Sequence, residues 1–289
     1  MDQTAWLEER RKGLGSSDAA AVCGLSPYRT PLHVYLDKLG LAEYPETDAM
    51  RWGLKLEDVI ATAYVEATDN PLQVPKPAIL THPALEWMKA TPDRIAVDRL
   101  VELKTSRTHD QWGREGTDEI PEGYLLQVQH QMAVVGIDLC DVAVLIGGSD
   151  FRVYTVPANH ALQERLIAIE EDFWRRVEER RAPALDWNDP RTPKLVEALY
   201  RPIEGQEIDL DAHALSRLDR YEQLGIALRE LQDERDEIRA RVVESMGPAS
   251  VGHLPDGRMV ARNTIHRKAY SIEAGSYVDF RIKKRRKAI

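Results

Sequence analysis

The sequence predicts an α/β protein with a mixed central β-sheet flanked by helices. Three observations predict it. Segments of helical period alternate with short β-branched runs from the N-terminus to about residue 180. Turn residues split the β-rich runs into pairs, as hairpins require. And 43% of the 289 residues are hydrophobic, enough for a sizeable core and too many for a disordered chain.

The elements follow in order. A polar helical start leads into "GLGSSDAAAVCGLSPYRTP", where Gly13, Gly15, Ser16 and Ser17 make a tight loop. Asp18, or a serine before it, is expected to cap an Ala-rich helix ended by Pro27. "PLHVYLDKLG" is a short helix stopped at Gly40. Residues 48–68 form a strong helix, with Trp52, Leu56, Val59, Ile60 and Ala63 at helical spacing. Pro71, Pro75 and Pro77 bar a helix next, and residues 87–97 and 100–105 read as paired strands. "IPEGYLLQVQHQMAVVG" is a helix stopped by Gly136, and "CDVAVLIGGSDFRVYTV" is a hairpin turning at Gly147–Asp150. "NHALQERLIAIEEDFWRRVEERR" is a long amphipathic helix with Leu162, Leu166, Ile169, Phe173 and Val177 on one stripe.

Near Pro183–Pro202 the chain turns Pro-rich and irregular, which marks the boundary. The expected domains are a core at 1–200, a helical extension at 201–247 and a small β segment with a basic tail at 248–289. The extension carries Leu218, Tyr221, Leu228, Leu231, Ile238 and Val242 near heptad spacing, as half of a helical hairpin or a coiled coil.

Net charge is −9, so the whole molecule does not advertise nucleic-acid binding, but its end, "RIKKRRKAI", is a local basic run. Cys23 and Cys140 form no metal or disulfide pattern, which fits a reducing cytosol. The N-terminus has no apolar signal region, and no apolar stretch approaches the roughly 18 residues of a membrane span.

The informative stretch is "TPDRIAVDRLVELKTS", residues 91–106, because strands disfavour Asp, Glu and Lys. Glu102 and Lys104 are two apart and share a face, while Val101 and Leu103 point into a core. If Val97 pairs with Leu100, Asp93 pairs with Lys104 and all three charges lie together; a one-residue slip would part them. Clustered carboxylates call for a cation, and Mg²⁺ prefers such oxygens. A lysine beside them can steady charge on a phosphate under attack. For an arbitrary Glu-x-Lys match the ordinary reading is a surface Glu102–Lys104 ion pair on a half-exposed sheet.

Pro92-Asp93 followed by Glu102-Leu103-Lys104 matches the PD-(D/E)xK nuclease pattern. With Arg10…Ser17, Glu57 on its helix, and "YLLQVQHQM", the ordered set resembles the lambda-exonuclease-like, YqaJ-type viral recombinase family over roughly residues 4–180. The resemblance implies a restriction-endonuclease-like core in which Asp93, Glu102 and the Leu103 carbonyl hold Mg²⁺, or Mn²⁺ in its place, with Glu57 completing the acidic site. Lys104 would position the attacking water, and Gln127 would hold Lys104 or that water. Gln127 and Gln131 can also be read as polar surface on one helix stripe with Tyr124. Arg10 (or its neighbour Arg11) and Ser17 match positions that hold a DNA 5′-phosphate, with Thr91 and Arg107 as further contacts; Ser17 alone would serve as a helix cap.

The activity so implied is 5′→3′ exonuclease action on linear duplex DNA ends, leaving single-stranded 3′ tails for phage-type recombination. A ring-shaped trimer, a single-strand annealing partner and a location in the cytoplasm of a bacterial host go with it. The alternatives are a non-catalytic DNA-end-binding or assembly protein on the same fold, and a DNA-repair endonuclease.

Overall fold

The structure is a computed structural model describing residues 3–42, 47–266, 280 and 282. The chain divides into two compact units, residues 1–201 and 202–289.

The first unit holds two small sheets. Helix α1 (Gln3–Arg11) leads to strand β1 (Leu14–Gly15), a 3₁₀ turn (Ser16–Asp18) and the short α2 (Ala19–Val22). Gly13 is required here: a Cβ on it would lie 2.3 Å from the Trp87 carbonyl oxygen, so only glycine lets β1 dock. Helix α3 (Pro31–Lys38) starts at Thr30, whose hydroxyl accepts from the His33 amide. The long α4 (Asp48–Thr68) follows. Strands β2 (Leu80–Thr81) and β3 (Met88–Ala90) complete a three-stranded sheet in the order β1-β3-β2, with β1 parallel to β3.

The second sheet has the order β4-β5-β6-β7. It comprises β4 (Arg94–Ile95), β5 (Leu100–Ser106), β6 (Leu139–Ile146) and β7 (Asp150–Pro157). It is mixed: β5 runs parallel to β6 while the outer pairs are antiparallel. The β5–β6 crossover is made by α5 (Glu122–Val135), which ends at Gly136 with φ 74°, a left-handed cap that suits glycine. Both faces of this sheet are covered. Leu100, Cys140, Val142, Val144 and Ile146 pack with Val128 and Met132 of α5. Val101, Leu103 and Ala143 pack with Ile60, Ala61 and Tyr64 of α4. Helix α6 (His160–Glu178) lays Leu166, Phe173 and Val177 into the core, and α7 (Thr192–Leu199) adds Leu195.

The structure corrects several expectations. Residues 87–97 are not one strand: β3 and β4 belong to different sheets, separated by Thr91-Pro92-Asp93. Proline has no N–H for a ladder, and its ring restrains the residue before it, so the chain leaves one sheet there and enters the other. Asp18 makes no helix cap; its carboxylate is buried in an ion cluster instead. Trp52 and Val59 are exposed, and the buried stripe of α4 runs through Ile60 and Tyr64, whose hydroxyl donates to Asp141 at 2.6 Å. The Pro-rich segment near residue 190 holds α7, with Pro193 in its first turn where a missing N–H costs nothing.

In the second unit, α8 (Ala212–Met246) is a single 35-residue helix with no buried residue, and Tyr221 meets Phe280 edge-on at 5.5 Å. A hairpin of β8 (Val251–His253) and β9 (Met259–Ala261) surrounds the "PDGR" turn. Residues 267–279 and the basic run, Ile282 apart, lie outside the described residues.

Candidate active site

The two-residue turn after β4 sets the register. Ala96 donates its amide to the Arg99 carbonyl, Ile95 faces Leu100, and Arg94 faces Val101. Asp93, one step beyond the ladder, therefore stands opposite Glu102 rather than Lys104. The slip relative to the expected register is two residues. Side chains alternate with period two, so the shared face survives. The Leu103 amide donates to Asp93 Oδ2 at 2.8 Å and fixes that carboxylate against β5.

Glu102 is the hub. It is 2% exposed, and both its oxygens are engaged. Oε1 accepts from Lys104 Nζ at 2.5 Å and from Gln127 Nε2 at 2.6 Å; Oε2 accepts from Gln131 Nε2 at 2.8 Å. Gln127 closes the ring by accepting from Lys104 Nζ at 3.2 Å. The Lys104 ammonium also lies 4.8 Å from the centre of the Tyr124 ring. Tyr124, Gln127 and Gln131 are spaced three and four apart on α5 and so share one stripe over the even face of β5. That stripe is an active part of the cluster, not a polar surface.

The electrostatics of this cluster are unbalanced. Burial pushes the Asp93 carboxyl up to about 8, and the neighbouring Glu102 charge adds to the rise. Glu57, on α4, is also raised, first by burial and then by Glu102. Burial alone would lower the Lys104 ammonium, but the charges of Glu102 and Asp93 overrule it and hold the lysine protonated. Arg94 lies near Glu57 but is engaged by Asp58 at 2.6 Å. Three carboxyl groups thus crowd one lysine, and burial together with that crowding disfavours the charged forms of Asp93 and Glu57.

A divalent cation would relieve that crowding by favouring the charged carboxylates. Among the described residues no group of three His, Cys, Asp or Glu side chains is placed to hold a metal ion. Mg²⁺ needs none, since it keeps several waters and takes one or two carboxylates. Asp93 and Glu102 supply the two carboxyl groups such an ion takes; Glu57 is an electrostatic neighbour with no hydrogen bond into the cluster among the described residues.

A second cluster lies at the other end of α5's stripe. Arg10 Nη2 donates to Ser17 Oγ at 2.9 Å, and the Arg10 guanidinium lies 4.6 Å from the centre of the Trp6 ring. Arg11 is turned towards Gly40 instead, so Arg10 is the arginine that meets the turn. Beneath the turn, Asp18 is buried. Its Oδ2 accepts from Lys38 Nζ at 2.7 Å and from the Gly15 amide at 3.2 Å, and Oδ1 accepts from Arg29 at 2.9 Å. Burial raises its carboxyl, but the charges of Lys38, Arg29 and Arg10 outweigh that and hold it well below the usual carboxylate range. Lys38 Nζ also donates to the Arg10 carbonyl at 3.1 Å. Thr91 lies in the link between β3 and Asp93, and Arg107 is exposed just past β5; neither is hydrogen-bonded to Arg10 or Ser17 among the described residues.

Sequence reasoning did not assign Gln131, Ser16, Asp18 or Lys38 to the site. Only Gln131 carried a signal, its place three and four residues beyond Val128 and Gln127 on a stripe facing the sheet. His130 lies between them and is structural: fully buried, it meets Glu170 at 2.9 Å and the Lys89 carbonyl at 2.9 Å.

Comparison with known proteins adds independent findings. Residues 5–138 match the model of the YqaJ-like viral recombinase domain. The chain is 32% identical to the YqaJ protein of Bacillus subtilis (strain 168) over 263 residues, covering 88% of this chain and 81% of that one. It is 30% identical to protein R354 of Acanthamoeba polyphaga mimivirus over 151 residues, which is 27% of that longer protein. Among solved structures, the alkaline exonuclease LHK-Exo from Laribacter hongkongensis superposes with a TM-score of 0.53 at 20% identity, covering 62% of this chain and 94% of that one. That likeness is one of fold. LHK-Exo has also been solved in complex with dAMP.

Proposed function

The chain belongs to the YqaJ-like viral recombinase family, and from that premise we propose that it is a metal-dependent deoxyribonuclease acting on the ends of linear duplex DNA. The observation that carries the reading is the crowding of the Asp93, Glu57 and Glu102 carboxyl groups around Lys104, with Glu102 held in place by Lys104, Gln127 and Gln131. A binding module has no use for such a cluster, whose buried like charges raise the free energy of the fold.

In this reading Asp93, Glu102 and the Leu103 carbonyl would hold Mg²⁺, with Mn²⁺ as a substitute and Glu57 contributing charge from α4. When bound, such an ion would supply Lewis-acid stabilisation of the phosphate under attack and a more acidic water. Lys104 stays protonated at neutral pH. It donates to the attacking water or to a non-bridging phosphate oxygen, where negative charge grows in the transition state. Gln127 keeps Lys104 and Glu102 at fixed separation. Arg10 and Ser17 grip the terminal 5′-phosphate, with Thr91 and Arg107 as outer contacts. Charge-assisted donation from a guanidinium beside a hydroxyl suits a phosphate dianion.

Gripping the 5′ end gives 5′→3′ degradation and single-stranded 3′ tails for phage-type recombination. A single-strand annealing protein as partner, a homotrimer, and action in the cytoplasm of a bacterial host complete the proposal. Residues 1–200 form its exonuclease core, and residues 201–247 and 248–289 a helical and a small β extension. The test is degradation of an end-labelled linear duplex with Mg²⁺ or Mn²⁺. Shortening from 5′-phosphorylated ends is expected; a folded protein inert with both ions removes the nuclease reading.

A further inference from the structure

We infer that Gln131 is a positioning residue that couples occupation of the 5′-phosphate cradle to the carboxylate Glu102. The inference rests on the reading of Arg10 and Ser17 as that cradle. Gln131 is fully buried on α5, and its amide nitrogen donates in two directions: to Glu102 Oε2 at 2.8 Å and to Ser16 Oγ at 3.3 Å. An amide nitrogen carries two hydrogens, so both bonds hold at once. The flipped amide would set its oxygen against a carboxylate oxygen, so Glu102 dictates which way the group points.

Two further observations separate this residue from ordinary core packing. Its Oε1 is buried with no hydrogen-bond partner, a desolvation cost that a methionine of similar shape would not carry. And Ser16 sits in a stiff body. Asp18, in the same turn, binds the Gly15 amide, Lys38 and Arg29, while Lys38 holds the Arg10 backbone and Arg10 holds Ser17. A phosphate drawing on Ser17 and Arg10 therefore moves Ser16 with them. Among the described residues, the direct hydrogen-bonded link from this body to Glu102 runs through the Gln131 amide. An engaged 5′-phosphate would thus set the position of Glu102, and a duplex end without one would leave Glu102 less well placed.

The experiment compares single-turnover cleavage of 5′-phosphorylated and 5′-hydroxyl duplex ends in Mg²⁺. The wild type should favour the phosphorylated end. Gln131→Met keeps the volume and removes the donor. It should slow cleavage of phosphorylated ends about 10- to 100-fold, the scale of one hydrogen bond to a charged group. The half-saturating DNA concentration should stay nearly constant, and the preference for 5′-phosphate should collapse. Ser16→Ala should reproduce the loss from the other side of the link, and it carries the test if Gln131→Met fails to fold by thermal melting. Ser17→Ala should instead weaken DNA-end binding. Equal slowing of both ends by Gln131→Met and Ser16→Ala would make the link mere scaffolding and overturn the inference. A wild type indifferent to the 5′-phosphate is a different failure: the cradle assignment falls, and the inference with it.

Discussion

Asp18 with Lys38 and Glu102 with Lys104 are both carboxylate–lysine pairs removed from water, at 2.7 and 2.5 Å, within the same unit. Their surroundings differ in one respect. Around Asp18 the charges are matched: Lys38 and Arg29 both reach it, Arg29 also reaches Asp37 at 3.2 Å, and the acidity of Asp18 is strongly enhanced. Around Glu102 three carboxyl groups crowd one lysine, and Asp93 is pushed up to about 8. The first cluster is complete and supports the turn that carries Ser17. The second holds its carboxyl groups in an unfavourable environment, which on the proposed reading a divalent ion would relieve. A buried ion pair by itself says little about function; the charge balance of its neighbours distinguishes a brace from a reaction centre.

The largest effect expected from this contrast is on chemistry. Glu102→Ala or Lys104→Ala should lower cleavage of end-labelled duplex by at least about 10³-fold, since each removes a group needed only around the reacting phosphate. Gel-shift affinity for the same DNA should change little. If both variants cut normally, the two clusters do not differ in the way their charges suggest.

Next in size is stability. Asp18→Asn removes the carboxylate from the buried Lys38 ammonium beneath the turn and should cost about 3–5 kcal/mol, read from the midpoint of urea unfolding. The pH dependence has a fixed sign. Asp18 is more acidic folded than unfolded, so its contribution is fully present above about pH 3.9. It is lost as pH falls through the lower folded value. Asp18→Asn should therefore lose less stability than the wild type on acidification.

Asp93→Asn should act in the opposite direction in the presence of a chelator. It relieves the crowding around Glu102 and still offers an amide oxygen to the Leu103 N–H, so the melting temperature should rise by a few degrees. A fall as large as that of Asp18→Asn would erase the comparison.

The smallest effect concerns a third buried pair, His130 with Glu170. Burial alone would lower the imidazole, but the Glu170 charge and hydrogen bond reverse this and raise it above its ordinary value. Its contribution is complete below about pH 6.5. It fades as pH climbs through the folded value. The double variant His130→Gln, Glu170→Gln should flatten that stretch of the stability–pH curve, measured by thermal melting from pH 6 to 9.

Much of the molecule is written locally. Helix α4 begins and ends as its periodicity and flanks indicate, α5 stops at Gly136, and β6 and β7 turn at Gly147 and Gly148. The face shared by Asp93, Glu102 and Lys104 was legible even though the register was two residues off, because strand parity is insensitive to a shift of two. The break at Thr91-Pro92-Asp93 was not legible as a change of sheet. A proline shows where a ladder stops, not which sheet the chain joins next. Helix α7 was hidden because its prolines resemble those of a linker.

What the sequence by itself determined is the inventory and its local order: acids and a lysine alternating on one strand, an arginine and serines at a glycine-rich turn, and glutamines at helical spacing. Tertiary structure decided which of these meet. Ser16 and Gln131 are 115 residues apart, and Tyr64 and Asp141 are 77 apart. No local periodicity encodes a hydrogen bond across such a separation. It exists only once α5 has packed on the sheet, excluded water, and left each buried polar group to find its partner there.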